Sequence, residues 1–257
     1  MKVVVAIDSL KGSLTYLEAG EAIREGVLRA IPEAEVVVRP LADGGEGTVE
    51  ALTLGMGGRL EKAMVTGPLG RPVECAYGRV PSENLAIVEM SGAAGITLVP
   101  EAERDPMNTT TYGVGEVIRR AIEQGCRRFI IGLGGSATND GGIGMLQALG
   151  FGLLNEAGTQ VAFGAKGLQE LRSITREHVI PELKDCTFRI ACDVTNPLCG
   201  ERGASAIYGP QKGATPAAIL QMDKWLGDYA ALAKETVPEA DANLPGTAPR
   251  ADWALPS

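Results

Sequence analysis

An α/β fold is what the sequence predicts, and three features carry that expectation. Residues 2–7 and 35–41 are β-branched, apolar runs of strand length, the pattern of strands buried on both faces. Each leads through a polar loop containing glycine into residues with helical apolar spacing, and strand–loop–helix repeated in this order builds a parallel sheet. Beyond Gly55 the character changes. Residues 58–90 show short alternating runs broken by turn sequences (GPLGRP, VPSEN), which predict antiparallel strands. A boundary between two α/β units therefore falls near residues 60–70.

The remaining elements follow from the same periods. From Thr15, the residues Leu17, Ala22, Ile23, Val27, Leu28 and Ile31 recur at roughly helical spacing, and Pro32 stops them. A second helix follows ADGGEGT and runs to about Leu54. Residues 108–125 predict a helix with Val114, Val117, Ile118, Ala121 and Ile122 on one face, threonines as caps before it and Gly125 after it. Residues 128–133 predict a strand that feeds the loop GLGGSATNDGG, with a helix from about 142 to 149. Residues 188–193 predict another strand, ending in DVTNPLCG, and residues 216–234 a last helix.

Composition closes off several functions. With 45% hydrophobic and 22% charged residues, the 257-residue chain reads as globular and not as disordered. No apolar run approaches the ~18 residues of a membrane span, and MKVVVAIDS lacks a small-residue cleavage site, so neither a transmembrane helix nor a signal peptide is expected. A net charge of −8 argues against nucleic acid or an anionic membrane as partner. The five cysteines form no C-x-x-C pair, which fits a reduced, cytoplasmic protein with packing thiols. His178 is the only histidine, so acid–base chemistry must rest on Asp, Glu, Lys, Ser or Thr.

Four polar, glycine-rich loops could carry that chemistry. In DSLKGS, residues 8–13, a lysine and two serines beside glycine suit phosphate oxygens, although the Walker A spacing is absent; an ordinary strand–helix connection fits the string equally. In ADGGEGT, Asp43 and Glu46 could hold Mg²⁺ through water, or could serve as a turn residue and a first-turn acid of the next helix. GLGGSATNDGG places five glycines with Ser136, Thr138, Asn139 and Asp140, and so many small residues let a ligand approach the backbone. It lacks the full dinucleotide fingerprint, which weakens a reading as an NAD-linked oxidoreductase. In DVTNPLCG and the following YGPQKGA, Asp193 stands at a strand end as a base or metal ligand, Asn196 can orient a hydroxyl, and Lys212 can reach a phosphate. Met90 and Ser91 in EMSGAAG and Asn108 in NTTTYG are weaker candidates.

The strings IDSLKGS, LADGGEGT, EMSGAAG, GLGGSATNDGG, CDVTNPLCG and YGPQKGA, in this order and spacing, resemble the bacterial glycerate kinase family of the type I, two-domain form, over roughly residues 1–245. The resemblance implies ATP-dependent phosphorylation of D-glycerate to a phosphoglycerate, more often the 2-phosphate, with Mg²⁺. It also implies a flavodoxin-like parallel α/β domain carrying a second, inserted α/β domain with a mixed sheet, and an active site in the cleft between them. On that pattern residues 1–63 are the N-terminal half of the first domain and residues 64–245 the inserted one. Glycerate is then the small-molecule partner, nucleic acid and membrane are not partners, and a homo-oligomer is compatible with the pattern.

Carried onto this chain, the resemblance implies Asp193 as acceptor of the substrate hydroxyl proton, with Lys11 and Asp8 as its catalytic companions. Ser9, Lys11, Ser13, Gly44, Gly45 and Ser91, with Asn196, Gln211 and Lys212, would bind substrate or phosphate oxygens. Gly134, Gly135, Ser136, Thr138 and Asn139 would bind the nucleotide, and Asp43, Glu46 and Asp140 the metal. Phosphoryl transfer needs positioning and charge neutralisation more than covalent help, so this set suffices without histidine. After Pro245-Gly246 the pattern is lost, and residues 246–257 read as an aberrant tail of a truncated or frameshifted member. The expectation is then weak or no kinase activity and a tendency to aggregate; the alternative to a working kinase is an inactive fragment that retains at most nucleotide or anion binding.

Overall fold

The computed structural model describes residues 1–8, 10, 13–41, 44–45, 47–192 and 194–236. The expectations placed on Ser9, Lys11, Asp43, Glu46 and Asp193, and on residues 246–257, lie outside the described residues. The fold is mixed α/β, with parallel and mixed sheets.

The chain opens as β1 (Lys2–Ile7), α1 (Tyr16–Ala30), β2 (Glu35–Pro40) and α2 (Thr48–Gly55). β1 and β2 pair in parallel, Val3 beside Val36 and Val5 beside Val38. Thr15 caps α1 through a reciprocal pair: its hydroxyl accepts from Glu18 N at 3.2 Å, and its own N–H donates to Glu18 Oε2 at 2.8 Å. Gly20 lets α1 lie close over β2, since a Cβ there would stand 2.5 Å from Val38 Cγ1. The opposite face of β1 keeps Val4 58% exposed.

A five-stranded sheet follows: β3 (Arg59–Thr66), β4 (Pro72–Val80), β5 (Leu85–Glu89), β6 (Arg128–Gly132) and, last in space as in sequence, a strand at Thr187–Ala191. The intervening chain contributes α3 (Met90–Ala94), α4 (Tyr112–Glu123), α5 (Ile143–Ala148), the hairpin β7 (Gly152–Leu154) and β8 (Ser173–Thr175), and α6 (Ala165–Glu170), so the last strand is β9. α7 (Ala204–Tyr208) and α8 (Pro216–Thr236) end the described chain. β3–β4 and β4–β5 are antiparallel, as the alternating runs predict, while β5–β6–β9 is parallel.

The core lies mostly on one side of this sheet. Val114, Val117, Ile118 and Ala121 of α4 are fully buried and pack with Ile131, Met145, Leu146 and Leu149. Gly115 lets α4 and α5 touch, because a Cβ there would stand 2.3 Å from Met145 O. On the other side α2 packs Val49 against Val80, Leu85 and Ile87. Thr53 of α2 sits on Gly78 so closely that any side chain at 78 would displace it. α2 thus follows β2 in sequence but covers β4 and β5.

Helix α4 begins at Tyr112, four residues later than residues 108–125 suggest. The threonines before it are buried outside the helix because their polar groups are drawn elsewhere: Thr109 Oγ1 donates to Ala137 O at 2.9 Å, and Thr110 N donates to Pro68 O at 3.0 Å. β9 covers Thr187–Ala191 instead of 188–193. At the sheet's amino edge a polar cluster closes the core. Glu61 accepts from Arg79 at 2.8 Å, from Tyr77 Oη at 3.1 Å and from Gln124 Nε2 at 3.0 Å. Burial pushes the Cys75 and Cys199 thiols up to about 12 and Cys186 to about 11, so these act as packing groups. Among the described residues no helix is long and apolar enough to cross a membrane.

Candidate active site

The register of the parallel strands levels their carboxyl ends. Glu89, Gly132 and Ala191 stand abreast at the ends of β5, β6 and β9. Loops leaving three adjacent strands at one height converge there, which is where open α/β sheets bind ligands.

Backbone holds these loops together. Gly134 N donates to Gly44 O at 3.1 Å, and Leu133 N to Ala191 O at 3.3 Å. A Cβ on Gly132 would stand 2.5 Å from Gly44 O, and one on Gly134 would stand 2.8 Å from Gly45 Cα. Gly44 itself has φ of 93°, with Ala191 O where a side chain would go. The glycines that suggested ligand access are therefore first required for one loop to touch another.

Glu89 anchors this junction from below. It is buried, accepts from Val49 N in the first turn of α2, and accepts from Ser91 Oγ at 3.0 Å. A carboxylate at a helix N-terminus satisfies a free N–H and faces the positive end of the dipole. Ser91 in turn lies beside Gly135, whose added Cβ would stand 3.3 Å from Ser91 Cβ. Sequence reasoning passed over Glu89; its signal was its place as the last residue of an apolar strand, immediately before EMSGAAG's small residues.

The loop GLGGSATNDGG divides in two. Gly134, Gly135 and Ser136 remain open to solvent, whereas Ala137, Thr138, Asn139 and Asp140 are buried. The open half suits the nucleotide-binding expectation. The buried half is scaffold. Asn139 donates to Ser205 Oγ at 2.9 Å and contacts Met222 Sδ at 3.5 Å, tying the loop to α7 and α8. Asp140 accepts from Thr111 N and Thr111 Oγ1, each at 2.9 Å, and from Gly142 N at 3.1 Å. Burial raises its pKa, and the N–H and O–H donors from Thr111, Gly142 and Gly144 pull the other way. Its oxygens hold the N-termini of α4 and α5. Thr138 contributes its carbonyl oxygen.

Lys212, at the end of a 3₁₀ turn Pro210–Lys212, is 8% exposed and sends its ammonium to Ser136 Oγ at 3.0 Å and Thr138 O at 2.6 Å. A buried lysine bonded to a glycine-rich loop sets a cation beside the open backbone of residues 134–136. Gln211 beside it is exposed. Asn196 is half-buried and spent within its own loop: it donates to Arg202 O at 2.9 Å and accepts from Tyr208 Oη at 2.8 Å. It orients that loop. Asp8 is half-buried just past β1, and Ser13 is exposed, its N–H bonded to Leu10 O at 2.8 Å. The structure thus brings Gly44, Gly45, Ser91, Gly134, Gly135, Ser136 and Lys212 together and turns Asn139, Asp140 and Asn196 to support.

Among the described residues no cluster of three or more His, Cys, Asp or Glu could hold a metal. Mg²⁺ takes one or two carboxylates and fills its shell with water and phosphate oxygens, so its fit here does not require such a cluster.

The model of the glycerate kinase family matches residues 3–249 of this chain. Glycerate 2-kinase of Escherichia coli is 47% identical over 246 residues, covering 96% of this chain and 65% of that protein. Glycerate kinase of Haemophilus influenzae is 48% identical over 234 residues, 91% of this chain and 62% of that one. A crystal structure from Salmonella typhimurium, named as a glycerate kinase 2, superposes with a TM-score of 0.89 at 47% identity, over 96% of this chain and 66% of that one. The chain spans about two thirds of the length of these relatives.

Proposed function

Since the chain belongs to the glycerate kinase family, we propose that it carries the phosphate-handling face of an enzyme that phosphorylates D-glycerate with ATP, giving 2-phosphoglycerate and ADP. The observation that supports this most directly is the buried Lys212 ammonium set against Ser136 and Thr138, at the carboxyl ends of three parallel strands. In this reading, Lys212, the Ser136 hydroxyl and the open backbone of residues 134–136 bind phosphate oxygens. Ser91, fixed by Glu89, borders the same opening. Asp193 takes the proton of the attacking hydroxyl, and Lys11 and Asp8 complete the substrate side. Mg²⁺, carried by Asp43 and Glu46, would neutralise charge on the phosphates when bound. The 2-phosphate position follows the E. coli relative's name and the resemblance of the loops. The division into residues 1–63 and 64–245 is part of the same proposal, with the opening between the two parts.

A coupled ADP-release assay on the 257-residue chain tests it, with ³¹P NMR of the product to fix the position. Whatever ADP release the chain shows should need both D-glycerate and Mg²⁺ and should fall at least about 100-fold in Lys212→Ala. ATP bound without glycerate-dependent turnover would leave an anion-binding fragment in its place.

A further inference from the structure

Arg104 follows a 3₁₀ turn, Glu101–Glu103, in a stretch with acids on both sides. None of those neighbours takes its guanidinium. Glu103 pairs with Arg71 at 3.2 Å, and Asp105 accepts from Met107 N at 3.0 Å and from the Asn108 amide. The Arg104 Nε is wholly buried and has no hydrogen-bond partner, and no ion pair reaches this arginine among the described residues. Arg79 makes the contrast: its Nε is also bare, but its other nitrogens bond Glu61 and Gln124 O. A buried guanidinium nitrogen left without an acceptor is costly, so native structures keep few of them and those call for an explanation.

Its position supplies one. Gly213 has φ of 91°, and a Cβ on it would stand 2.2 Å from Arg104 O and 3.0 Å from Arg104 Cβ. The stem of Arg104 therefore starts against the turn that carries Lys212, whose ammonium rests on the 136–138 segment. Guanidinium is matched to carboxylates and phosphates, which it can grip through two parallel N–H bonds.

We propose that Arg104 is a second cation of the oxyanion site built around Lys212, binding either the carboxylate of the hydroxy acid or a phosphate of the nucleotide. This rests on the kinase reading for the identity of the ligands, but not for the binding itself. The test compares wild type with Arg104→Gln and Arg104→Lys, first in thermal shift with inorganic pyrophosphate and with D-glycerate, then in steady-state kinetics.

In Arg104→Gln, the stabilisation by one of the two probes is expected to vanish, and the KM of the matching substrate to rise about ten- to hundredfold, with part of each recovered in Arg104→Lys. A change confined to glycerate assigns the carboxylate; one confined to pyrophosphate and ATP assigns the phosphate. Absence of turnover in wild type counts against the kinase reading alone, since the anion shifts still decide Arg104. Shifts in Arg104→Gln equal to wild type, or no shift in any of the three proteins, overturn the proposal. If Arg104→Gln fails to fold, a wild-type response to both probes in Arg104→Lys overturns it as well.

Discussion

The β1–α1–β2 segment and the five-stranded sheet are built from similar strands and reach their stability by different routes. β5 is buried along its whole length, and the cluster around it draws on α4, α5 and α8. Among the described residues of the first segment only Val5, Tyr16, Ala19 and Ala34 are buried apolar residues, while Val4, Leu17, Ile23 and Leu41 stay exposed. What the sheet gains by burial, the first segment gains locally, from the Thr15–Glu18 cap and surface pairs such as Arg24–Glu21 at 3.1 Å. The comparison teaches that an apolar run gives a strand its shape, but only covered neighbours give it stability. Amide exchange is the direct check: β1 and β2 should open at lower free energy than β5, β6 and β9. Equal protection in the two sheets would break the comparison.

Substitutions sharpen it, from large effects to small. Asp140→Ala should cost about 3–5 kcal/mol in urea unfolding, because it strands several buried donors at the ends of α4 and α5. Gly134→Ala should cost about 1–3 kcal/mol, since its Cβ would press on Gly45 Cα; the lost exchange protection should appear in β1 and β2 before it appears in β5 and β6. Thr15→Ala should cost about 1 kcal/mol and speed exchange in α1 alone.

Glu61 gives the smallest effect, read from pH. Burial opposes its ionisation, but hydrogen bonds from Arg79, Gln124 and Tyr77 outweigh this and hold its pKa below the ordinary value. A lowered carboxylate pKa stabilises the fold above the unfolded value near ~4.3 and loses that contribution as pH falls through the folded one. Glu61→Gln should therefore flatten the acid limb of the stability curve and leave its shape above pH ~5 unchanged.

Much of this architecture was legible because burial writes itself into residue type. β1, β2, α2 and β6 declare themselves by apolar period, and their carboxyl-end loops by glycine. What stayed hidden was decided by long-range polar contacts. Thr109–Thr111 pass for helix caps until Ala137 O, Pro68 O and Asp140 claim them. Asn139 and Asp140 resemble ligand groups in the string, because a polar side chain carries no mark of whether it faces a ligand or a helix end. Glu89 and Arg104 stood unnoticed for the same reason. The small hairpin β7–β8, three residues to a strand, is too short for a period to establish itself.

Asp140 carries a consequence beyond stability. It fastens the glycine-rich loop from underneath, so that the open residues 134–136 hang from a fixed root. A chain with this many glycines would otherwise wander, and each ligand would have to still it. Here the freedom has been surrendered during folding, so an anion bound there as proposed would meet a cradle that already has its shape.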